Sequence, residues 1–215
     1  MKKTRGRLIA FEGVEGAGKS TQVRLLAAAL RRQGRSVLVT AEPGGTKVGR
    51  AIRTILTSPR YPEPVPLAEL LLYLADRAQH LAEVVRPALE RGLVVLTDRF
   101  SASTVAYQGY GRGLPLGLVR DWDRKARGGV RADLTVLLDC PVREGLRRAR
   151  GSDRLHTASL EFHERVRAGF LAQARREKGW VVVSSYRREP AEVAREILAR
   201  VERARILPPC TSEKS

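Results

Sequence analysis

The 215-residue sequence predicts a three-layer α/β/α fold, with a five-stranded parallel sheet covered by helices on both faces. Three observations carry this reading. Five short runs are almost continuously apolar, as strands buried on both faces are. Segments with helical spacing separate them, and that alternation implies parallel strands joined by right-handed crossovers. A glycine-rich turn follows the first run directly, and functional loops in such sheets gather at the carboxyl ends of the strands.

Taken in order, residues 7–11 form the first strand and end in that turn. Val23, Leu26 and Leu30 then repeat at helical spacing until Gly34 stops the helix. Residues 36–40 are the second strand and 48–56 a short helix. Prolines 59, 62, 64 and 66 make a stiff loop. Residues 67–91 read as a long apolar helix, with Pro87 marking a break or a new start. The third, fourth and fifth strands fall at 93–97, 134–138 and 180–183. Helices are predicted at about 116–127, 142–149, 158–177 and 190–205. One domain is expected over 1–205, and 206–215, with Pro208-Pro209 and a polar end, as a frayed tail.

Composition narrows the class. The chain is 43% hydrophobic and 29% charged, which excludes wholesale disorder, collagen and a disulfide scaffold. Cys140 and Cys210 have no His or Cys at ligand spacing, so they read as a buried hydrophobe and a tail thiol. His80 and His163 read as packing or surface residues, and Trp122 and Trp180 as packing residues. The apolar stretch 8–11 is closed by Glu12, too short for a signal peptide, and no run approaches the ~20 residues of a membrane span. A cytoplasmic protein without a membrane partner is expected. The net charge is +17, from 33 arginines and seven lysines against 23 acids. That balance suits an anionic partner, and a GC-rich genome accounts equally well for the arginine bias. Only 5% of residues are aromatic and no nucleic-acid module is recognisable, so no specific nucleic-acid partner is expected.

Two constellations carry chemistry. Gly13-Val14-Glu15-Gly16-Ala17-Gly18-Lys19-Ser20 fits G-x-x-x-x-G-K-[ST] between a strand and a helix, which specifies a P-loop NTPase fold. Backbone amides of such a loop converge on phosphate oxygens at a helix N-terminus. Lys19 adds a point charge for the β/γ-phosphates of a nucleoside triphosphate, and the Ser20 hydroxyl suits Mg²⁺. At the end of the third strand, Asp98 is placed to reach Mg²⁺ directly or through water. Arg99 is placed to clamp an anion with its planar fork. Tyr107 and Gln108, about two turns on, can face the same pocket.

The run Asp98-Arg99-Phe100-Ser101 through Ala106-Tyr107-Gln108 resembles the signature of thymidylate kinases. Gly13 to Thr21 is similar to that family's P-loop, with its acid at Glu15. Glu42-Pro43-Gly44-Gly45-Thr46, the helix 71–77 with Tyr73, Asp76 and Arg77, and the strand from Ala132-Asp133-Leu134-Thr135 to Asp139 resemble further family motifs, in family order. The resemblance, to bacterial members with lid arginines, implies ATP + dTMP → ADP + dTDP in dTTP biosynthesis, with Mg²⁺, in a homodimer built through the helix at about 67–85. It implies that Tyr73 stacks on thymine, and that Arg77 contacts the base or the acceptor phosphate. Arg99 would hold that phosphate and Thr104 would face the thymine edge. Tyr107 would crowd the deoxyribose 2′ position, and Glu15 would reach the 3′-hydroxyl or the metal shell. Glu42, Pro43, Ser103 and Gln108 complete the expected acceptor pocket. A lid is expected at about 147–157, where residues 143–176 hold nine arginines against four acids. Arg147 is assigned to ATP, and Arg150 and Arg154 to the charge in flight. The chain departs from the family at Ala41, where an arginine is common, at Gly16, where some members carry one, and at His156, where an acid is usual. Two other readings of the residues stay open: another P-loop nucleoside monophosphate kinase, and a basic ATPase stimulated by nucleic acid.

Overall fold

Strands β1 (Arg7–Glu12), β2 (Val37–Ala41), β3 (Val94–Asp98), β4 (Leu134–Asp139) and β5 (Trp180–Ser184) form one parallel sheet in the computed structural model, which describes residues 5–149 and 158–207. The order is β2-β3-β1-β4-β5, so β1 lies at the centre, paired with β3 and β4. Successive side chains of a strand point to opposite faces. Ile9 and Phe11 of β1, with Val94 and Leu96 of β3, therefore enter one core layer, and Leu8, Ala10 and Val95 enter the other.

The first layer is closed by α1 (Lys19–Arg32), α8 (Leu160–Arg176) and α9 (Pro190–Arg203), which contribute Leu26, Leu30, Val166, Phe170, Val193 and Ile197. The second layer is closed by the run after α3 (Pro66–His80). That run opens with a π-helical turn, Leu81–Val85, and ends in α4 (Arg86–Glu90). The break expected at Pro87 is thus a local widening, not an end. Proline lacks the N–H that would bond four residues back, and a π turn absorbs the mismatch. The remaining helices are α2 (Lys47–Thr57), α5 (Ser101–Thr104), α6 (Leu116–Arg127) and α7 (Val142–Arg148).

The chain from α5 continues as a second π-helical segment, Val105–Gly111, where Arg112 N–H reaches back five residues to the Tyr107 carbonyl at 2.8 Å. This segment packs closely on α8. A Cβ at Gly111 would stand 2.7 Å from the Phe162 ring, and one at Gly169 would stand 2.7 Å from the Tyr110 ring. Tyr107 and Gln108 are delivered to the site by this tight packing. The predicted strands and the helices at 116–127, 142–149, 158–177 and 190–205 stand to within two residues. Cys140 is buried, and Trp122 and Trp180 pack on core clusters. His80 and His163 are fully buried, so the surface alternative for them is removed. Ile206 and Leu207, expected to begin a frayed tail, pack against the main core instead, and Arg7 Nε donates to the Ile206 carbonyl at 2.5 Å. Cys210, Arg150, Arg154, His156 and most of the expected lid lie outside the described residues.

Candidate active site

The site forms where β1, β2 and β3 end. The chain leaves β1 at Gly13 (φ 139°), where a Cβ would meet the Leu138 carbonyl oxygen at 2.5 Å. At Gly16 a Cβ would run into the Gly145 carbonyl of α7, so the loop lies backbone to backbone on that helix. Gly18 begins α1 in the left-handed region without a side-chain cap, which leaves first-turn N–H groups for an anion. Val14 and Ala17 anchor the loop in the core, and Thr21 opens onto the cleft.

Lys19 is buried and donates from Nζ to the Gly13 and Val14 carbonyls at 3.1 and 2.8 Å. Burial and the nearby Arg99 lower its ammonium to about 8, although Glu15, Asp98 and Glu12 oppose them. Ser20 Oγ donates to Asp98 Oδ2 at 2.5 Å, so a hydroxyl and a carboxylate from different elements face one point. Among the described residues no cluster of three or more His, Cys, Asp or Glu could hold a metal. Two oxygen donors beside a phosphate loop nonetheless fit Mg²⁺, which keeps most of its waters and takes phosphate oxygens.

Arg99 follows β3 with φ 73°, a conformation rare for a residue with a side chain. Its N–H donates to the Phe11 carbonyl at 2.9 Å and its carbonyl accepts Thr97 Oγ1 at 2.9 Å, which hold the turn from both sides. Its guanidinium donates to the Gly13 carbonyl at 3.0 Å, to Ser103 Oγ at 3.2 Å and to Glu15 Oε1 at 2.6 Å. The Tyr107 hydroxyl donates to the same carboxylate oxygen at 2.9 Å, and the guanidinium lies 4.9 Å from the Tyr107 ring centre. Burial works to raise the Glu15 carboxyl, but Arg99, Lys19 and the Tyr107 hydroxyl outweigh it and hold it at about 2. Burial pushes the Tyr107 phenol well above its ordinary value, so it stays a neutral donor.

Beside this constellation lies a narrower pocket lined by Tyr73, Arg77, Ser103, Thr104, Tyr107 and Gln108, with Glu42 and Arg99 at its junction with the main cleft. The Arg77 guanidinium is fully buried and spends four of its five N–H groups within the protein. They reach Glu42 at 2.8 Å, Thr104 Oγ1 at 2.7 Å, Asp123 at 2.6 Å and the Phe100 carbonyl at 3.0 Å. Glu42 Oε1 also faces His80 Nδ1 at 2.8 Å, and His80 Nε2 faces Thr40 Oγ1 at 2.6 Å. The pocket wall is therefore rigid before anything binds. Gln108 Nε2 donates to buried Glu69 at 2.8 Å, which Arg112 grips with two further bonds at 3.2 and 2.8 Å.

The main cleft, about 710 Å³, runs from this pocket over the P-loop to α9. Of the residues singled out in the sequence, Glu15 to Thr21, Glu42, Pro43, Tyr73, Asp98 and Arg99 line it. Arg147, assigned to ATP from the sequence, points outward and pairs with Glu144 at 2.8 Å, 73% exposed, while Arg148 lines the cleft. Consecutive helix residues diverge by about 100°, and nothing in the pattern chooses between them. Arg53 and Arg188 also line the cleft and were missed. Arg53 lies one helical run beyond the E-P-G-G-T loop, a spacing that could have flagged it; Arg188 follows β5 and carried no motif.

Comparison with known proteins agrees with this geometry. The family model described as thymidylate kinase matches residues 11–197. The thymidylate kinase of Trichlorobacter lovleyi is 49% identical over 198 residues, covering 88% of this chain and 93% of its own. That of Carboxydothermus hydrogenoformans is 48% identical, covering 92% and 98%. The crystal structure of thymidylate kinase from Ehrlichia chaffeensis superposes with a TM-score of 0.76 at 30% identity, over 92% of this chain and 99% of that one. With a matched family model across its whole site and relatives of this identity along most of its length, the chain belongs to the thymidylate kinase family.

Proposed function

We propose that this chain transfers the γ-phosphoryl group of ATP to dTMP, giving ADP and dTDP for dTTP synthesis. The observation that carries the reading is the junction at Arg99. One guanidinium bridges the P-loop carbonyl of Gly13, Glu15 and Ser103, where the triphosphate cleft meets the narrow pocket. The acceptor is a phosphate monoester with a second pKa near 6, already mostly dianionic at neutral pH, so no general base is assigned. The barrier is the repulsion between two polyanions brought into line. Lys19 meets the β/γ-phosphates and Arg99 the acceptor phosphate. Arg148 and Arg188 add positive charge along the cleft, and the lid arginines Arg150 and Arg154 are proposed to close over it, excluding water. Glu15 is proposed to accept the deoxyribose 3′-hydroxyl, Tyr107 to crowd the 2′ position, and Tyr73, Arg77, Thr104 and Gln108 to enclose the base. Ser20 and Asp98 would hold Mg²⁺, which neutralises phosphate charge when bound.

A homodimer is proposed through α3, supported by exposed Val65, Leu67 and Leu71, 66%, 43% and 48% accessible, on and beside that helix. Apolar groups exposed together mark association surfaces. A cytoplasmic location is proposed; no described helix is long and apolar enough to cross a membrane. The test is product analysis: with Mg-ATP and dTMP, ³¹P NMR shows ADP and dTDP appearing in equal amounts. ADP without dTDP overturns the reading.

A further inference from the structure

Glu12 is the last residue of β1 and is fully buried. None of the roles derived above uses it. Its carboxylate grips the first turn of the helical run that begins with α5. Oε1 accepts the Phe100 N–H at 2.9 Å and the Ser103 N–H at 3.3 Å, and Oε2 accepts the Ser103 hydroxyl at 2.5 Å. That helix has no side-chain cap from its own N-cap residue, Phe100, so Glu12 satisfies its first N–H groups from another element. The residue just before the gripped turn is Arg99, in its left-handed conformation. The Ser103 hydroxyl that donates to Glu12 also accepts the Arg99 guanidinium at 3.2 Å. A continuous chain therefore runs from the strand end, through one hydroxyl, to the arginine assigned to the acceptor phosphate.

We propose that Glu12 is a positioning residue that aims the Arg99 guanidinium, acting through the α5 turn and the Ser103 hydroxyl. Glu12 touches neither substrate. It fixes the backbone at which Arg99 turns and the hydroxyl against which its guanidinium rests. A strained backbone conformation persists only where its surroundings over-determine it, and the three bonds to Glu12 supply that constraint on the α5 side. Burial raises the Glu12 carboxyl to about 7 despite Ser103, Arg99, the Phe100 N–H and Arg77. A carboxyl held in the core at such a cost is doing more than filling space. A misplacement of a binding group by about 1 Å costs up to about a hundredfold.

The inference rests on Arg99 holding the acceptor phosphate, and the experiment separates the two claims. Steady-state KM values for dTMP and for ATP are measured in Glu12→Gln, Ser103→Ala, the double variant and Arg99→Lys. Glu12→Gln keeps the shape of the side chain and removes its charge. It is expected to raise the dTMP KM about tenfold while leaving the ATP KM within about twofold. Because Glu12 acts through Ser103, the double variant is expected to be no worse than Glu12→Gln alone. An unchanged dTMP KM overturns the proposal. So does an equal rise in both KM values, which marks general distortion of the P-loop, and so does strict additivity in the double variant. If Glu12→Gln does not fold, Glu12→Asp, which keeps the charge and shortens the reach, decides: a selective rise in dTMP KM supports the proposal and no rise overturns it. If Arg99→Lys leaves the dTMP KM untouched, the Arg99 assignment has failed. If Arg99→Lys raises it and Glu12→Gln does not, the Glu12 inference alone has failed.

Discussion

Glu12 and Glu15 stand three residues apart on either side of Gly13, and the fold shifts their carboxyls in opposite directions. Glu12 is fully buried, and Glu15 is half-buried where it lines the cleft. Glu12 faces two backbone N–H groups and a hydroxyl, with its cations further off, and burial carries its carboxyl up to about 7. Glu15 faces the Arg99 guanidinium at 2.6 Å, the Tyr107 hydroxyl and Lys19, and is held at about 2. The difference teaches how this loop divides its work. An environment of close hydrogen-bond donors, with the cations further off, suits an acid that organises the protein. A cationic environment suits an acid that must stay ionised beside two phosphates. The same Arg99 joins both, directly through Glu15 and by way of Ser103 to Glu12.

The largest expected effect comes from removing the shared cation. Arg99→Ala is expected to lower kcat/KM by ~10² or more, the scale for one charge-stabilising group. It would also raise both carboxyls, Glu15 most because Arg99 touches it directly, and a pH profile of kcat/KM would show the new ionisation. Lys19→Ala is expected to cost a similar ~10² or more in kcat/KM, and to raise both carboxyls, since Lys19 attracts Glu15 and Glu12 alike.

Stability against pH sharpens the comparison, because the two acids act with opposite sign. The folded value of Glu15 lies below its ordinary 4.5. Its contribution is present above 4.5 and is lost as pH falls from 4.5 toward 2. The folded value of Glu12 lies above its ordinary 4.5. The native state then holds a proton that the unfolded state has released, so this contribution declines as pH rises from 4.5 to about 7. Thermal melts of Glu12→Gln against the parent protein are expected to show a Tm difference that shifts in favour of the variant across pH 5–7. For Glu15→Gln the difference is expected to shift in favour of the variant below pH 4.5. Identical slopes in both variants would erase the contrast.

Tyr107 gives the smallest effects. Tyr107→Phe removes one hydrogen bond to the ionised Glu15, worth about 1.5–3 kcal/mol, and keeps the ring that crowds the sugar. Rejection of ribonucleotides is expected to survive in Tyr107→Phe and to weaken in Tyr107→Ala. An unchanged ratio of deoxyribo- to ribonucleotide turnover in Tyr107→Ala would contradict the role of the ring.

The strands were legible because a sheet buried on both faces leaves continuous apolar runs, as in Leu134–Asp139. The phosphate loop was legible because its glycines, lysine and serine are all required locally. Glu12 was not, because an acid closing an apolar strand reads as a boundary, and its partners Phe100 and Ser103 lie about ninety residues away. The ion pairs of Arg77 with Glu42 and Asp123, 35 and 46 residues distant, were hidden for the same reason. The π-helical turns were illegible because a single extra residue in a helix leaves no periodic trace. Arg147 and Arg148 could not be separated by pattern because both neighbour the same Glu144 on the helix.

The most direct test of the account is ADP release from Mg-ATP measured with dTMP, dUMP, dCMP, AMP and GMP in parallel, each against a blank without acceptor. Strong release selective for dTMP is the predicted result. Equal or greater release with a purine monophosphate, or none that depends on an acceptor, would contradict the assignment of the narrow pocket and of Arg99 beside it.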